Sequence, residues 1–346
     1  MFTEIIIVFS LLVVSALVAV AATPMLTAFL YRHHLGKQIR DASETPIFSA
    51  LHAQKAGTPT MAGVLVWGTT LVCLVASWIV SRIWSHHLIA KVNFWSRSET
   101  YLPIGILVLA ALVGLVDDFY NVRKRGAHGG GLRARHRLLI YTGIALLGAL
   151  WFTVKLGWTT LHVPYFGNFD IGLWYIPLFV LVIVATSFSV NETDGLDGLA
   201  GGTMLITFST FGVIAFLQGK YDLVSLIAVI VGSLSAFLWF NIPPARFMMG
   251  DTGAMSLGVT LGVLAMLTNT IVILPLLAFP FVIESASVLI QLASKKFRKK
   301  KVFISSPLHH HLEAKGWSEP KIVMRFWILG AMAAIVGLII FFTDRL

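Results

Sequence analysis

Charged residues are scarce in this sequence. They make up 12% of its 346 residues, whereas soluble domains carry about 25%. Hydrophobic residues reach 57%, and the mean hydropathy is +0.84. A water-soluble fold would have too few polar side chains to cover so much apolar sequence. The composition therefore excludes a soluble protein and indicates an integral membrane protein.

Cysteine is almost absent. The single cysteine, Cys73, lies inside an apolar run, which excludes a disulfide framework and a cysteine-based metal site. A cleavable signal peptide is not expected either, because the first apolar run, residues 5–30, is too long and lacks a basic start. We expect this run to remain as a membrane helix.

Long apolar runs dominate instead. A membrane-spanning helix needs about 20 mostly apolar residues, and the sequence offers ten candidates. These are residues 5–30, 62–81, 101–116, 138–155, 173–189, 200–217, 223–240, 254–268, 271–293 and 326–343. There is no internal repeat and no flexible linker. The prediction is therefore a single all-α, polytopic membrane domain over residues 1–346.

Basic residues are distributed unevenly between the predicted loops. With ten spans and both termini outside, the inner segments hold 20 of the 26 Lys and Arg residues. Because cytoplasmic loops collect basic residues, this topology is favoured, and it puts every polar cluster at the cytoplasmic face. It also explains the net charge of +10 without nucleic acid as a partner, although the charge could attract acidic lipids or a phosphorylated substrate. Residues 158–170 are predicted to form a short outer hairpin or loop.

Two adjacent carboxylates, Asp117 and Asp118, stand at the inner end of an apolar segment. Ionisable groups at a membrane edge are costly and usually functional. Adjacent helical side chains point about 100° apart, so the two are expected to have different roles. Carboxylate oxygens suit Mg²⁺, which takes one or two protein carboxylates plus substrate phosphates. The alternative is a solvated helix end.

Two further clusters combine acidic residues with glycines. The first, residues 191–202, contains Asn191, Asp194 and Asp197, and its glycines would let the backbone approach a ligand closely. Aspartates there could accept hydrogen bonds from ribose or uracil, or the segment could simply join two helices. In the second cluster Asp251 precedes an apolar helix, where it could ligate a metal or serve as the N-cap of the helix.

Two more segments carry candidate ligands for anions. The side chains of three consecutive histidines, His309, His310 and His311, diverge, so a tridentate zinc site is not expected. A loop that donates hydrogen bonds to an anion or a sugar is favoured. Lys55, within residues 52–61, stands beside a Gly-Thr-Pro turn and could hold a phosphate or be only a topology charge.

Taken together, these segments resemble the phospho-N-acetylmuramoyl-pentapeptide transferase family. This family lies within the wider group of polyprenyl-phosphate N-acetylhexosamine-1-phosphate transferases. The motifs shared with the wider group are Asp117-Asp118, residues 194–200 and Met249-Gly250-Asp251. The motifs typical of the narrower family are residues 55–61 and 306–327. The resemblance extends from about residue 35 to residue 327 and so covers nearly the whole chain.

The resemblance implies a reaction and a setting. The family transfers phospho-MurNAc-pentapeptide from UDP-MurNAc-pentapeptide to undecaprenyl phosphate, which releases UMP and forms lipid I for peptidoglycan synthesis. It implies ten membrane helices in the bacterial cytoplasmic (inner) membrane, with both termini outside and the active site at the cytoplasmic face. It also implies a requirement for Mg²⁺ and a homodimer.

Residue roles are implied by position in the same motifs. The residues implied to be catalytic are Asp117, Asp118, Asp251, His309 and His310, and those implied to ligate Mg²⁺ are Asp251 and Asp117. The residues implied to bind substrate are Lys55, Thr60, Asn191, Asp194, Gly195, Asp197, Phe247, Met248, Gln291 and His311. The chain departs from the family where Met248 replaces an aromatic residue, since the ring of Phe247 stands one place earlier.

Other functions stay open from the sequence. A sister transferase would use UDP-GlcNAc or a related sugar nucleotide, although the histidine run argues against it. A secondary transporter would place polar groups near the membrane midplane, where the predicted helices offer only Glu284 and Gln291. A scaffold without activity would not need the acidic groups. For a transferase two anions must meet, so positioning and a metal should dominate, whether or not an aspartate forms a covalent intermediate.

Overall fold

The computed structural model describes residues 2–36, 55, 57–84, 91–96, 99–124 and 130–346. Nearly all of its secondary structure is helical, which confirms the predicted all-α class. The α-helices are α1 (Phe2–Arg32), α2 (Val64–Ile83), α3 (Tyr101–Val122), α4 (Ala134–Leu150), α5 (Tyr175–Thr193), α6 (Leu199–Leu217), α7 (Tyr221–Asn241), α8 (Asp251–Leu267), α9 (Leu274–Leu277), α10 (Phe279–Arg298), α11 (Leu308–Ala314) and α12 (Glu319–Thr343). Helix α4 continues as a π-helical turn over Trp151–Lys155.

All ten predicted apolar runs lie on helices, because a chain in lipid must satisfy its backbone hydrogen bonds within itself. Within the described ranges, eight helices are long and apolar enough to cross a membrane, namely α1 to α7 and α12, where α4 is counted together with its π-helical turn. Helix α8 is apolar but has only 17 residues. Helix α10 carries Lys295, Lys296 and Arg298 in its last turn. The structure thus supports a multi-pass membrane protein with eight candidate spans.

Helix α8 lies in the core of the bundle. Every residue of α8 after Asp251 is buried, and the helix packs between α3 and α5. Small residues let the backbones approach closely, as is common between membrane helices. A Cβ at Gly114 of α3 would lie 2.6 Å from Thr252 Cα, and one at Gly258 would lie 2.9 Å from Ser187 Cα. These contacts fix the ends of α3 and α5 beside the first turn of α8.

The predicted hairpin over residues 158–170 is confirmed. Strands β1 (Thr160–Val163) and β2 (Gly167–Asp170) pair antiparallel and lie against the C-terminal end of α12. Asp344 Oδ2 lies 2.6 Å from His162 Nε2, and Asp344 Oδ1 accepts the backbone N–H of Tyr165 at 2.5 Å. The Tyr165 N–H first, and then His162, lower the pKa of Asp344 below its ordinary value.

Candidate active site

The predicted site residues come together at the opposite end of the bundle from the hairpin. There the C-terminal ends of α3, α5 and α7 meet the N-terminal ends of α2, α4, α6, α8 and α12. The chain returns to this end after every second long helix, so residues far apart in sequence become neighbours. The site is therefore built on helix ends that the apolar core holds in place.

Asp118 caps helix α8. Its Oδ1 accepts the backbone N–H of Asp251 at 3.0 Å, and its Oδ2 accepts that of Thr252 at 2.9 Å. A carboxylate suits this position because the first N–H groups of a helix have no partner within it. Gly250, at the N-cap position, makes no side-chain cap. The alternative that Asp251 is the N-cap is therefore wrong, and its carboxylate is free to face other groups.

Asp117 and Asp251 converge on one guanidinium. Arg137 Nη1, at the start of α4, lies 3.4 Å from Asp117 Oδ2 and 3.3 Å from Asp251 Oδ2. Asn191 Nδ2 donates to Asp251 Oδ1 at 2.6 Å. The backbone N–H of Leu132 donates to Asp117 Oδ1 at 2.5 Å. Asp117 and Asp118 thus have separate partners, as their divergence along the helix predicted.

This donor set fits Mg²⁺. One oxygen of Asp117 and one of Asp251 already face a common cationic group, and both are hard carboxylate ligands. Asp118 is not available in the same way, because both of its oxygens accept backbone N–H groups. Across the described residues, no group of three or more His, Cys, Asp or Glu side chains has the arrangement of a metal site. Mg²⁺ needs only one or two protein carboxylates when phosphates and water complete its shell.

The turn before α8 is pinned to the segment around Thr60. The backbone N–H of Met248 donates to the carbonyl of Pro59 at 2.7 Å. Gly250 has φ +74, and a Cβ there would lie 2.6 Å from Asp118 Oδ2 and 2.9 Å from Thr60 Oγ1. A side chain at position 250 would therefore be both strained and in collision. Thr60 lies beside the capping carboxylate, buried under this turn.

Phe247 does not present its ring to the site. The ring is fully buried, with its centroid 5.6 Å from that of Phe237 and 6.0 Å from that of Phe240. Core packing holds the ring in this conformation, and the substrate contact expected for Phe247 stays a prediction. Met248 is buried too, and its backbone takes part in the turn.

Lys55 is held by two carboxylates. Its Nζ lies 2.7 Å from Asp197 Oδ1 and 2.5 Å from Glu319 Oε1, and the backbone N–H of Asp197 also donates to Glu319 Oε1 at 2.6 Å. Asp197 Oδ2 accepts the backbone N–H of Ala245 at 3.0 Å. Lys55 is therefore more than a topology charge. Of the predicted segment 52–61, residues 52–54 and 56 lie outside the described residues.

The three histidines diverge to different partners. The Nδ1 contacts are Glu284 Oε2 for His309 at 3.0 Å, Glu313 Oε2 for His310 at 2.6 Å, and the backbone N–H of Ile304 for His311 at 3.1 Å. The ring of His309 is fully buried, and that of His310 is nearly so. Burial first, and then the Lys315 ammonium, lower the pKa of His311.

The side chain of Gln291 forms hydrogen bonds with the backbone of the segment that follows α10. Its Oε1 accepts the backbone N–H groups of Val302 at 2.9 Å and Phe303 at 3.0 Å, while its Nε2 donates to the carbonyl of Phe303 at 2.9 Å. The side chain is buried. In this conformation Gln291 holds the segment that leads to the histidines, and its amide oxygen is not offered to a nucleotide.

Asp194 and Gly195 form the turn that joins these two groups of residues. The backbone N–H of Asp194 donates to the carbonyl of Asn191 at 3.2 Å, at the end of α5. Gly195 lies against the ring of His309. The turn thus connects the carboxylates around Asp251 with the histidine segment.

Sequence reasoning missed two site residues, Arg137 and Glu319, and considered a third, Glu284, only for a transporter. Arg137 is the last basic residue before an apolar run, and it was counted only as a topology charge. Glu284 was visible as an acidic group within an apolar helix, which is by itself a sign of function. Glu319 lies seven residues before the predicted start of the last helix at residue 326. The Ser-Glu-Pro sequence at residues 318–320 is a helix-start signal that could have indicated the true beginning of α12.

Comparisons with known proteins indicate the class of this chain. The model of glycosyl transferase family 4 matches residues 101–269, which include all three aspartates at the start of α8 and the end of α3. Together with the eight candidate spans, this match points to the class of polytopic membrane glycosyl transferases.

Three similar proteins identify the family of this chain within that class. The phospho-N-acetylmuramoyl-pentapeptide-transferase of Chloroflexus aggregans is 37% identical over 90% of this chain and 83% of its own length. That of Geobacillus thermodenitrificans is 37% identical over 94% of this chain and 95% of its own length. That of Anoxybacillus flavithermus is 36% identical over 94% of both chains. The chain belongs to the phospho-N-acetylmuramoyl-pentapeptide-transferase family.

Proposed function

We propose that this chain transfers phospho-MurNAc-pentapeptide from UDP-MurNAc-pentapeptide to undecaprenyl phosphate, releasing UMP and forming lipid I for peptidoglycan synthesis. The observation that carries the proposal is the convergence of Asp117 and Asp251 on one cationic group at a membrane-helix end. Two anionic phosphates could meet there only with positive charge between them. The relatives, which all carry the name of this activity, favour it over a sister transferase that uses UDP-GlcNAc.

The proposed setting is the bacterial cytoplasmic (inner) membrane. There α8 and α10 join the eight candidate spans to make ten, with both termini outside and the site at the cytoplasmic face. The distribution of Lys and Arg supports this orientation, since 20 of 26 lie in the segments that it makes cytoplasmic. The proposed assembly is a homodimer.

The proposed cofactor is Mg²⁺, held by Asp251 and Asp117. When bound, it would neutralise negative charge on the phosphates of the two substrates. Arg137 lies between the same two carboxylates and would help to hold a phosphate if the metal takes its place. Asn191 keeps the Asp251 carboxylate oriented through its hydrogen bond.

In the proposed reaction, an oxygen of undecaprenyl phosphate forms a bond to the phosphorus that carries the sugar. The bond from that phosphorus to the bridging oxygen breaks, and UMP leaves with the electron pair. Asp117 is the proposed base for a proton on the lipid phosphate, because both oxygens of Asp118 accept backbone N–H groups of α8, whereas Asp117 accepts a backbone N–H with Oδ1 alone. Lys55, Thr60, Asp194, Asp197 and His311 would line the nucleotide and sugar side. His310 would donate a hydrogen bond to the leaving UMP. His309, whose ring is buried, would act by supporting the turn that contains Gly195.

A direct attack by the lipid phosphate and a covalent aspartyl intermediate both fit this geometry. The two routes differ in whether UMP is released when undecaprenyl phosphate is absent. A covalent route would release one equivalent of UMP per enzyme from UDP-MurNAc-pentapeptide alone, whereas direct attack would release none.

The decisive experiment is a transfer assay with purified protein, UDP-MurNAc-pentapeptide, undecaprenyl phosphate and Mg²⁺. We expect UMP and lipid I in equal amounts, and neither product with UDP-GlcNAc in place of the muramoyl nucleotide. Transfer from UDP-GlcNAc instead would establish the sister activity. Uptake of nucleotide into vesicles without a lipid product would support a transporter.

A further inference from the structure

The histidine segment is held from behind by a buried acidic group. The side chains of Glu284 on α10 and His309 on α11 are both fully buried, and Oε2 lies 3.0 Å from Nδ1. The same carboxylate accepts the backbone N–H of His309, at 3.2 Å from Oε1. Glu284 therefore fixes both the main chain and the ring of His309.

The contact also gives the buried carboxylate its partner. A buried carboxylate without a partner is costly, so the ion pair or hydrogen bond with His309 is what keeps Glu284 in place. The other ring nitrogen, Nε2, lies at the opposite edge of the ring.

That edge of the ring faces the turn after α5. Nε2 is buried and has no hydrogen-bond partner in the part of the chain that the structure describes. A Cβ at Gly195 would lie only 2.2 Å from Nε2 and 2.8 Å from Cε1. The ring thus fills the space that any other side chain at position 195 would need. The position of the turn depends on where the ring is held.

The turn carries the residues proposed to bind the uridine nucleotide, Asp194 and Asp197. We propose that Glu284 is a positioning residue that acts through His309 on the nucleotide side of the site. This inference rests on the proposed function and deepens it. Asp117 and Arg137, on the lipid-phosphate side, belong to α3 and α4 and have their own partners. The two substrates should therefore respond differently when Glu284 is changed.

Steady-state kinetics of the full chain in detergent test this difference. Glu284→Ala should raise the KM for the uridine nucleotide by about 10-fold, the loss expected when a buried hydrogen-bond partner is removed. The KM for the lipid should stay within about twofold. Glu284→Gln should recover most of the loss, because its amide oxygen can take the place of Oε2, which lies 3.4 Å from the backbone N and 3.0 Å from Nδ1 of His309.

The matched control is Ser287→Ala, which removes a buried hydroxyl that bonds to the carbonyl of Glu284 itself, on the same helix. It should leave both KM values within about twofold. An equal rise of both KM values in Glu284→Ala, or a control as impaired as Glu284→Ala, would show general loss of structure and overturn the assignment.

A double-mutant cycle between Gly195 and His309 tests the contact between these two residues without changing Glu284. Calorimetric titration with UMP measures nucleotide binding and does not depend on transfer. Gly195→Ala should weaken UMP binding about 10-fold in the wild-type background, because the new methyl group collides with the ring. In a His309→Ala background the same change should have almost no effect. Additive losses would show that the contact between Gly195 and His309 does not cause the weaker UMP binding, and would overturn the proposal. The cycle gives this test even if Glu284→Ala fails to fold.

The two proposals can fail separately. If the wild-type protein binds UMP but does not form lipid I, the proposed function is wrong and the titrations still test the positioning role. If the wild-type protein transfers normally but the Gly195 and His309 losses add, the positioning role is wrong and the function stands. If wild-type protein binds no UMP, both are overturned.

Discussion

The two ends of the helix bundle carry acidic groups in very different surroundings. At the hairpin end, Asp344 is matched by His162 and the Tyr165 N–H, and Asp170 accepts the N–H of Gly172 in its own turn. At the site end, Asp117 and Asp251 share a single guanidinium within the described ranges. The first arrangement is complete without a ligand, whereas the second has more negative than positive charge. An excess of carboxylates at one helix end indicates a place for a cation and its anionic substrates.

The largest expected effect tests this contrast directly. Asp251→Asn should reduce transfer by about 10³-fold or more, because it removes a charge that the metal and phosphates require while keeping the size of the side chain. UMP release and the melting temperature in detergent are the measurements. Asp344→Asn at the hairpin end is the matched control and should stay within about threefold. Near-normal turnover of Asp251→Asn at ordinary Mg²⁺ would refute the metal role.

The second prediction sharpens the difference within the site. Asp117→Asn and Asp118→Asn should each lower turnover by about 10²-fold or more. Only Asp118→Asn should also lower the melting temperature clearly, because its amide can accept just one of the two N–H groups at the start of α8. The Mg²⁺ concentration that gives half-maximal turnover should change for Asp117→Asn. Identical profiles for both variants would contradict separate roles.

A smaller effect is expected at the histidines. His310→Ala should lower turnover by about 10²-fold, the cost of losing one donor to charge on the leaving group. Chelators selective for zinc should have no effect, since the three rings face different partners. His162→Ala, at the hairpin end, is the control and should change turnover less than threefold. A zinc-dependent enzyme, or a nearly silent His310→Ala, would show that this segment has another role.

The smallest effect concerns stability at the hairpin end. The Tyr165 N–H and His162 favour ionised Asp344, so its pKa is lower in the folded protein than the value of about 3.9 in an unfolded chain. This contribution is complete above that value and is lost as the pH falls through the lower folded-state pKa. Asp344→Asn should lower the melting temperature by about 2 °C at pH 7. The difference should shrink below about pH 4, and a constant difference at every pH would exclude the charge as its cause.

The sequence predicted the helices well because each one is a long apolar run, and membrane helices need little else. It indicated the acidic candidates because carboxylates are rare in such a chain and stand at helix ends, and their roles stay predictions. Arg137 and Glu319 were missed since their importance comes only from their neighbours in space. Arg137 looks like any loop cation until α3 and α8 bring Asp117 and Asp251 to it.

Roles that depend on side-chain direction were the hardest to predict. Phe247 and Gln291 occupy positions that the family resemblance assigns to substrate, yet one is held by core packing and the other by three backbone groups. A sequence motif fixes which residue is present but not which way it points. For His309 the direction is set by Glu284, which lies 25 residues earlier in the chain.

The cap that Asp118 gives to α8 also sets an order of assembly during synthesis. Asp118 and Asp251 are 133 residues apart in the chain. At about 5–20 residues per second, the ribosome needs on the order of 10 s to make the stretch between them. Until Asp251 emerges, the end of α3 has neither the N–H groups that Asp118 will bind nor the second carboxylate of the pair. A chain released before residue 251 would therefore insert most of its helices yet contain no complete site, so that catalysis begins only after α8 has entered the bundle.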